Sequence, residues 1–483
     1  MLLALSFPSG IEASVLLTYF LMGLLGVGLF FARGAPEIAG IAAVHAAAGV
    51  LSVLAADLIT LLVAWELLTL SAYFIIRKGG PEARGPAFRY LAAQICAAAL
   101  FFVAMVAHRA ETGSIAVELL HGSGFMTAAV LIKTAMMPLH GWLIGSYTKA
   151  PLLGSFVLSA FATKVGVYTA ARTLSVSLAG LPVLSLLGAA MAVTAVLAAL
   201  RQHSARRLLS YHIISQVGYM LAGVGLLESD FGITAGLFHA VNHIIYKGLL
   251  FLVVAVVAEH LGHDDLRRMG GLVRRFPLVF VCAVIGAAAI VGLPLTSGYA
   301  SKELLKKAAG EPQTTLLIVA SVGTAVSFTK FVYLIFLRTP KSGGAGGRVR
   351  PDAMPRVPAA AGGRASKAAS AALVVLALLS VAIGVAPRLL PGVPDVEYYG
   401  RSSVVWGIAP AAAGLLLFIP LRRLLTEGGA LSSGEPALRR RLRAVRRTVL
   451  ARLRRAYRLD PQRAVATAVV GAFAVVVMVV LLG

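Results

Sequence analysis

His239, His243 and Lys247 stand four residues apart in GLFHAVNHIIYKGLLFL. In a helix that interval puts all three on one face. Three proton-exchanging groups on one stripe of an apolar segment can form a proton relay. Two histidines four apart could also bind zinc, but Lys247 would repel the cation and Ala240, not a glutamate, follows His239. That departs from the metalloprotease pattern, so no metal site is expected.

Other charges sit in equally apolar surroundings. In Phe125–Lys164, FMTAAVLIKTAMMPLHGWLIGSYTKAPLLGSFVLSAFATK, two membrane-length segments carry Lys133 and Lys164, and Pro138 interrupts the first. A charge at mid-membrane costs about 2.5–3.5 kcal/mol on insertion scales and seldom stands there without a purpose. A proline in the same helix frees carbonyls that are tolerated only beside protein or a wet cavity. Glu66 lies within LITLLVAWELLTLSAYFII. Desolvation opposes its carboxylate, and Lys133 is the cation expected to offset that cost. A fixed ion pair stapling two helices is the plain alternative. Lys164 could snorkel to the interface, although the small residues around it favour an interior position.

A second interrupted helix follows in VGLPLTSGYASKELL, where Pro294 and Gly298 break the run and Lys302 and Glu303 lie beyond. A lysine in solvent at an ordinary helix end is the plain alternative here. Lys330, in SVGTAVSFTKFVYLIFL, fits a functional or a snorkelling role equally. His140 could extend a proton path or bond a freed carbonyl, and His212 is expected to do the second. Arg206 and Arg207 read as membrane-surface anchors.

The elements that must position these groups are membrane helices. The chain has 483 residues, 59% of them hydrophobic and 13% charged, with a mean hydropathy of +0.86. A soluble domain carries about 25% charged residues, so most of this chain must lie in lipid. Its net charge of +24 does not indicate a nucleic-acid partner. The basic residues fall in short loops between apolar runs, which is a membrane-orientation signal. Cys96 and Cys282 lie in apolar runs without metal-type spacing. The first apolar run has no basic residue before it and reads as a retained helix rather than a signal peptide.

With roughly 20 apolar residues needed per crossing, about fourteen helices are expected near 14–32, 36–56, 57–76, 86–107, 125–147, 152–174, 181–200, 206–227, 232–258, 276–305, 314–337, 368–390, 402–424 and 462–482. Residues 36–174 and 181–337 each hold five, the fourth interrupted. Five is odd, so the halves would run in opposite directions, the inverted repeat of transport proteins. Residues 1–35 form an N-terminal helix, 338–367 a flexible basic loop and 368–424 two further helices. Residues 436–482 form a basic amphipathic helix, Pro436–Arg458, suited to anionic lipid, and a last span. The basic loops all fall on one side, expected to be cytoplasmic in a cell (inner) membrane, with both termini opposite.

WELLTLSAYFII, KTAMMPLHGWL, APLLGSFVLSAFATKVGVY, LLSYHIISQVGYM, HAVNHIIYKGLLFL and GLPLTSGYASKELL resemble, in order, motifs of the antiporter-like membrane subunits of Mrp-type cation/proton antiporters, respiratory complex I and membrane-bound hydrogenases. The resemblance covers about residues 36–390. It implies two inverted five-helix repeats joined by charged residues at mid-membrane depth. By motif, Glu66 and Lys133 are similar to the family's glutamate–lysine pair, and Lys164 to its connecting lysine. His239, His243 and Lys247 are similar to the central relay, and Lys302 to the terminal lysine. Fewer helices precede the Glu66 helix than is usual, and Arg206 stands where relatives often carry lysine.

The implied function is proton translocation within a multisubunit complex, with exchange for Na+ left open. No iron–sulfur cysteine pattern, P-loop or dinucleotide fingerprint is present, so the chain is expected to need no cofactor and to catalyse no reaction by itself. It would instead serve an NADH:quinone oxidoreductase-like or hydrogenase-like translocase. Three alternatives stay open: the proton-conducting subunit of an inorganic-carbon uptake system with a zinc-containing partner, a structural membrane scaffold, and a self-contained carrier for a small solute.

Overall fold

The computed structural model describes residues 5–117, 120, 124–174, 181–226, 229, 231–339 and 366–427. The expected loop at 338–367 is described only at its ends, and the amphipathic helix and last span at 436–482 lie outside the described residues. Every regular element described is helical, apart from isolated bridges between loops. The order is α1 Gly10–Phe31, α2 Pro36–Leu54, α3 Leu58–Arg77, α4 Arg84–Thr112, α5 Gly124–Lys133, α6 Gly141–Tyr147, α7 Leu152–Ala160 and α8 Ala162–Thr173. It continues α9 Leu181–Leu200, α10 Ala205–Val224, α11 Gly232–Leu261, α12 Pro277–Val291, α13 Ser297–Ala308, α14 Gln313–Val332, α15 Lys367–Val385 and α16 Arg401–Glu427. Among the described residues, ten helical stretches are long and apolar enough to cross a membrane, α7 with α8 forming one of them.

Asp57 caps α3 by accepting from the Thr60 amide at 2.7 Å. Ser204 caps α10 in the same way through the Arg207 amide. Each cap satisfies an amide that the first turn of a helix leaves free. Gly262, at φ 71°, ends α11 in the left-handed conformation that a Cβ would penalise.

The helix ends sort into two faces. On one, Arg33 pairs with Glu259, Lys78 with Glu37 at 2.8 Å, Lys149 with Glu82, and Arg206 with Asp264 at 3.1 Å. These contacts gather the basic loops between the helices. On the other face, bridges join Leu5 to Ala55, Asp57 to Ala116 and Leu120 to Leu174.

At the centre runs α11, whose apolar window is buried throughout. It packs against α1, α7, α10, α12, α13 and α15. The histidine–lysine stripe therefore lies on the most enclosed helix of the fold. By contrast, α16 has only 17% of its window buried and leaves Leu415, Leu416 and Ile419 exposed.

Both expected interruptions are present. Thr134–His140 separate α5 from α6, with Ala135 at φ 56°; Gly292–Thr296 separate α12 from α13, with Leu295 at φ 65°. A non-glycine residue in that region costs of order 1–3 kcal/mol and persists only where its surroundings hold it. Gly298 is not part of the break. It lies in the first turn of α13, where a Cβ would fall 1.8 Å from the Ala289 carbonyl oxygen, so it permits close packing of α13 on α12. The expected helix at 152–174 is not continuous either. It is interrupted at Phe161, whose φ of −109° departs from the usual helical value near −63°.

Candidate functional site

Lys133 is the last residue of α5 and is fully buried. Its Nζ sits 4.6 Å from the Trp65 ring centroid and has no hydrogen-bond partner among the described residues. A desolvated cation–π contact of this kind is worth about 2 kcal/mol. At the break, Ile132 O accepts both from the Ala135 amide at 3.0 Å and from Trp142 Nε1 at 3.0 Å. Gly166 makes room for the lysine stem, since a Cβ there would lie 3.0 Å from Lys133 Cγ. Lys133 is thus held by packing and by Trp65, with no hydrogen bond among the described residues drawing on its charge.

Glu66 is half-buried on α3 and interacts electrostatically with Lys133. The two do not touch, so the expected direct ion pair is replaced by attraction through space. Around Glu66, α3 exposes Val63, Leu67, Leu70 and Phe74, so the carboxylate borders the outer apolar face.

His45 on α2 escaped the sequence reading, because one histidine in an alanine-rich run gives no pattern. It is fully buried, shares a 2.8 Å hydrogen bond with Ser71 Oγ through Nδ1, and interacts electrostatically with Lys133. Its Nε2 has no partner among the described residues. Phe161 meets the ring edge-on at 5.2 Å, tying it to the bend that precedes Lys164. Glutamine can keep the bond to Ser71 but cannot exchange a ring proton. His45→Gln is therefore expected to slow proton translocation at least roughly tenfold while the complex still assembles; wild-type rates in sealed vesicles would remove His45 from the path.

Lys164 does not snorkel. It is 1% exposed, and its Nζ donates to Ser159 O at 2.5 Å, a carbonyl just before the Phe161 bend. It interacts electrostatically with Lys247 and His243 on α11. His243 in turn interacts with Lys247, His239 and His212, and His212 with Lys302. All are buried. Lys247 Nζ and both ring nitrogens of His243 and His212 lack partners among the described residues. The carbonyl bond expected for His212 is therefore not made: its ring packs 4.8 Å from Phe328 inside the row.

His239 is fixed differently. Its Nε2 bonds Gln216 Oε1 at 3.1 Å and its Nδ1 bonds Ser301 Oγ at 2.9 Å. Gln216 also accepts from Tyr246 Oη at 3.2 Å. Neither Gln216 nor Ser301 was legible as a site residue, because both meet the histidine across helices remote in sequence.

Lys302 ends the row. Its Nζ donates to Ile290 O at 2.9 Å, Val291 O at 3.1 Å and Ser321 Oγ at 3.3 Å. Here the lysine itself satisfies carbonyls opened by the break. Beside it lies a cavity of about 30 Å³ that also touches Glu303, Lys306 and Trp406, large enough to admit water. Glu303 pairs with Lys306 and accepts from Ser403 Oγ of α16 at 2.6 Å.

Two secondary candidates stand apart. Lys330 is buried and donates to Leu200 O at 2.9 Å and Gln202 O at 2.8 Å, so it caps the end of α9 and does not snorkel. His140 is partly exposed after the first break, with its ring 6.0 Å from Tyr211. No cluster of three or more His, Cys, Asp or Glu suited to a metal occurs among the described residues.

Residues 55–327 match the family described as "NADH:quinone oxidoreductase/Mrp antiporter, TM". The chain is 30% identical over 306 residues to a Na(+)/H(+) antiporter subunit of Alkalihalophilus pseudofirmus, a match covering 59% of this chain and 62% of the relative. It is 30% identical over 368 residues to the N subunit of an NADH-quinone oxidoreductase of Desulforudis audaxviator, covering 70% of this chain and 71% of the relative. A match to the L subunit of the Escherichia coli NADH-quinone oxidoreductase, 34% identical over 213 residues, takes in 42% of this chain and 34% of that relative. The chain thus spans less than two thirds of the antiporter relative and about a third of the Escherichia coli one. Its fold is similar to that in the Mrp complex of Dietzia sp., with TM-score 0.69 and 23% identity over 87% of this chain and 85% of the other. A chain of an archaeal membrane-bound sulfane sulfur reductase also gives 0.69, at 22% identity, over 89% of this chain and 75% of the other.

Proposed function

Because the chain belongs to the NADH:quinone oxidoreductase/Mrp antiporter family, we propose that it conducts protons as a membrane subunit of a larger complex. The observation that carries this reading is the buried row Lys164–His243–Lys247–His212–Lys302, with His239 beside it, drawn from several helices and linked by mutual electrostatic interaction. Fixed structural ion pairs would alternate in sign. This row holds only groups that carry positive charge or none, so only a few of its members can be protonated together. Such a row favours passing protons along over storing them.

Lys133, with Glu66 and His45, forms the head of the path, and Lys302, opening on the cavity beside Glu303, forms its end. Buried nitrogens without protein partners are satisfied by water where space allows, and waters would bridge the row. Separation of Glu66 from Lys133 sets when the lysine holds its proton. The border position of Glu66 favours a neighbouring subunit against that face of α3, because a carboxylate facing lipid alone is costly.

Finer features belong to the same reading. The order of three long helices, an interrupted helix and a fifth recurs over 36–174 and 181–337, and supports two inverted repeats within about fourteen crossings. The ion-paired basic face is assigned to the cytoplasm by the positive-inside rule, in a cell membrane. Exchange of Na+ for H+ is compatible with the row but not required by it, and Pro436–Arg458 is assigned to anionic lipid. The test is reconstitution. Vesicles carrying the purified complex should move protons when its energy source is supplied, and vesicles carrying this chain alone should not. Turnover of a solute by the chain alone would replace this reading with that of a self-contained carrier.

A further inference from the structure

We propose that Arg267, Arg338, Arg422 and Arg423 form a binding site for the headgroup of an anionic phospholipid, with its acyl chains along α16. These arginines come from the loop after α11, the stretch after α14 and the end of α16. With Tyr333, Thr339 and Thr426 they line a cleft of about 550 Å³ at the basic face. No residue of the proton row takes part.

The cleft is built rather than incidental. Arg338 is tied to the loop through Nη2, which donates to the carbonyls of Leu266, Arg267 and Met269, while its buried Nε has no partner among the described residues. Arg422 lies over Tyr333 at 5.8 Å from the ring centroid. Arg267 is held by Asp265 through Nε at 3.1 Å and Nη2 at 2.8 Å. Asp265 thus offsets one of the four positive charges. Even with Glu427, four residues beyond Arg423 in the sequence, set against a second, at least two guanidinium charges remain. Like charges gathered in one cleft call for an anion. The chain segments that continue from its rim are themselves net basic. Residues 340–365 carry Lys341, Arg348, Arg350, Arg356 and Arg364 against Asp352, and residues 428–458 carry arginines against Glu435 alone.

Guanidinium forks match phosphate oxygens two at a time, which favours a phosphate over a lone carboxylate or halide. Two features favour a lipid over a free phosphate. The cleft lies where a membrane-spanning helix emerges at the basic face, at headgroup level. Directly beneath it, α16 exposes Leu415, Leu416 and Ile419, a surface suited to acyl chains.

The experiment uses the purified full chain, delipidated in a neutral detergent and offered phosphatidylglycerol, phosphatidylcholine or inorganic phosphate, with bound molecules weighed by native mass spectrometry. The expected result is one phosphatidylglycerol per chain, preferred over phosphatidylcholine at least about tenfold. The exposed pair Arg422→Gln/Arg423→Gln should abolish the preference. Arg77→Gln/Arg84→Gln, which removes the same charge elsewhere on that face, should keep it. Equal retention of both lipids, equal loss in both variants, or binding of phosphate without lipid would each overturn the proposal. None of these outcomes depends on whether the chain conducts protons.

Discussion

Lys247→Met is expected to stop proton translocation and leave the complex assembled. Lys247 is fully buried, and no described residue hydrogen-bonds its Nζ, so its removal orphans no partner among them. Methionine matches its length and flexibility, so the α11 core keeps its volume. What disappears is a group coupled to Lys164, His243 and His212 in the middle of the row. The loss should reach roughly a hundredfold, the scale on which one positioned acid–base group matters. Acidification of sealed inverted vesicles, measured with recovery of the intact complex, decides it. Wild-type acidification would remove Lys247 from the path, and a complex that no longer assembles would favour the scaffold.

The second large effect is structural. Gly298→Val should prevent the chain from accumulating as a folded membrane protein. A Cβ at that position would fall 1.8 Å from the Ala289 carbonyl oxygen and 2.7 Å from its carbon. Those are backbone atoms of α12, so no rotamer change relieves the clash and the two helices must part. Overpacking a core costs typically about 1–3 kcal/mol, and backbone displacement lies at or beyond the upper end. The break is also pressed from α15, where a Cβ at Gly384 would lie 2.3 Å from the Thr296 carbonyl carbon. Thermal unfolding in detergent is the measurement. A variant as stable as wild type would show that α12 and α13 need not pack so closely.

Much of this arrangement is legible in the residues themselves. Apolar runs separated by basic loops mark the spans, and the i, i+4 spacing of His239, His243 and Lys247 survives as one stretch of α11. Pro138 and Pro294 mark the two interruptions because a missing amide is a property of the residue itself. The unread features depend on neighbours distant in the chain. Phe161 bends α7 into α8 with no proline or glycine at that position. His45 gains its place from Ser71 and Lys133, and His212 from its packing on Phe328. Lys330 reads as a membrane charge of either role, yet it closes the end of a helix more than a hundred residues earlier. Lys133 and Lys302 look equivalent in their motifs, but the first is left unpartnered and the second is held by carbonyls.

That asymmetry leads to the most direct test of a single connected row. In sealed vesicles bearing the intact complex, protons moved per turnover are compared for wild type, Lys133→Ala and Lys302→Ala. A path in series predicts that each substitution alone removes translocation through this subunit, and that combining them removes nothing more. If each single variant kept about half, with the double variant losing the rest, the two lysines would serve separate channels and the connected row would be contradicted.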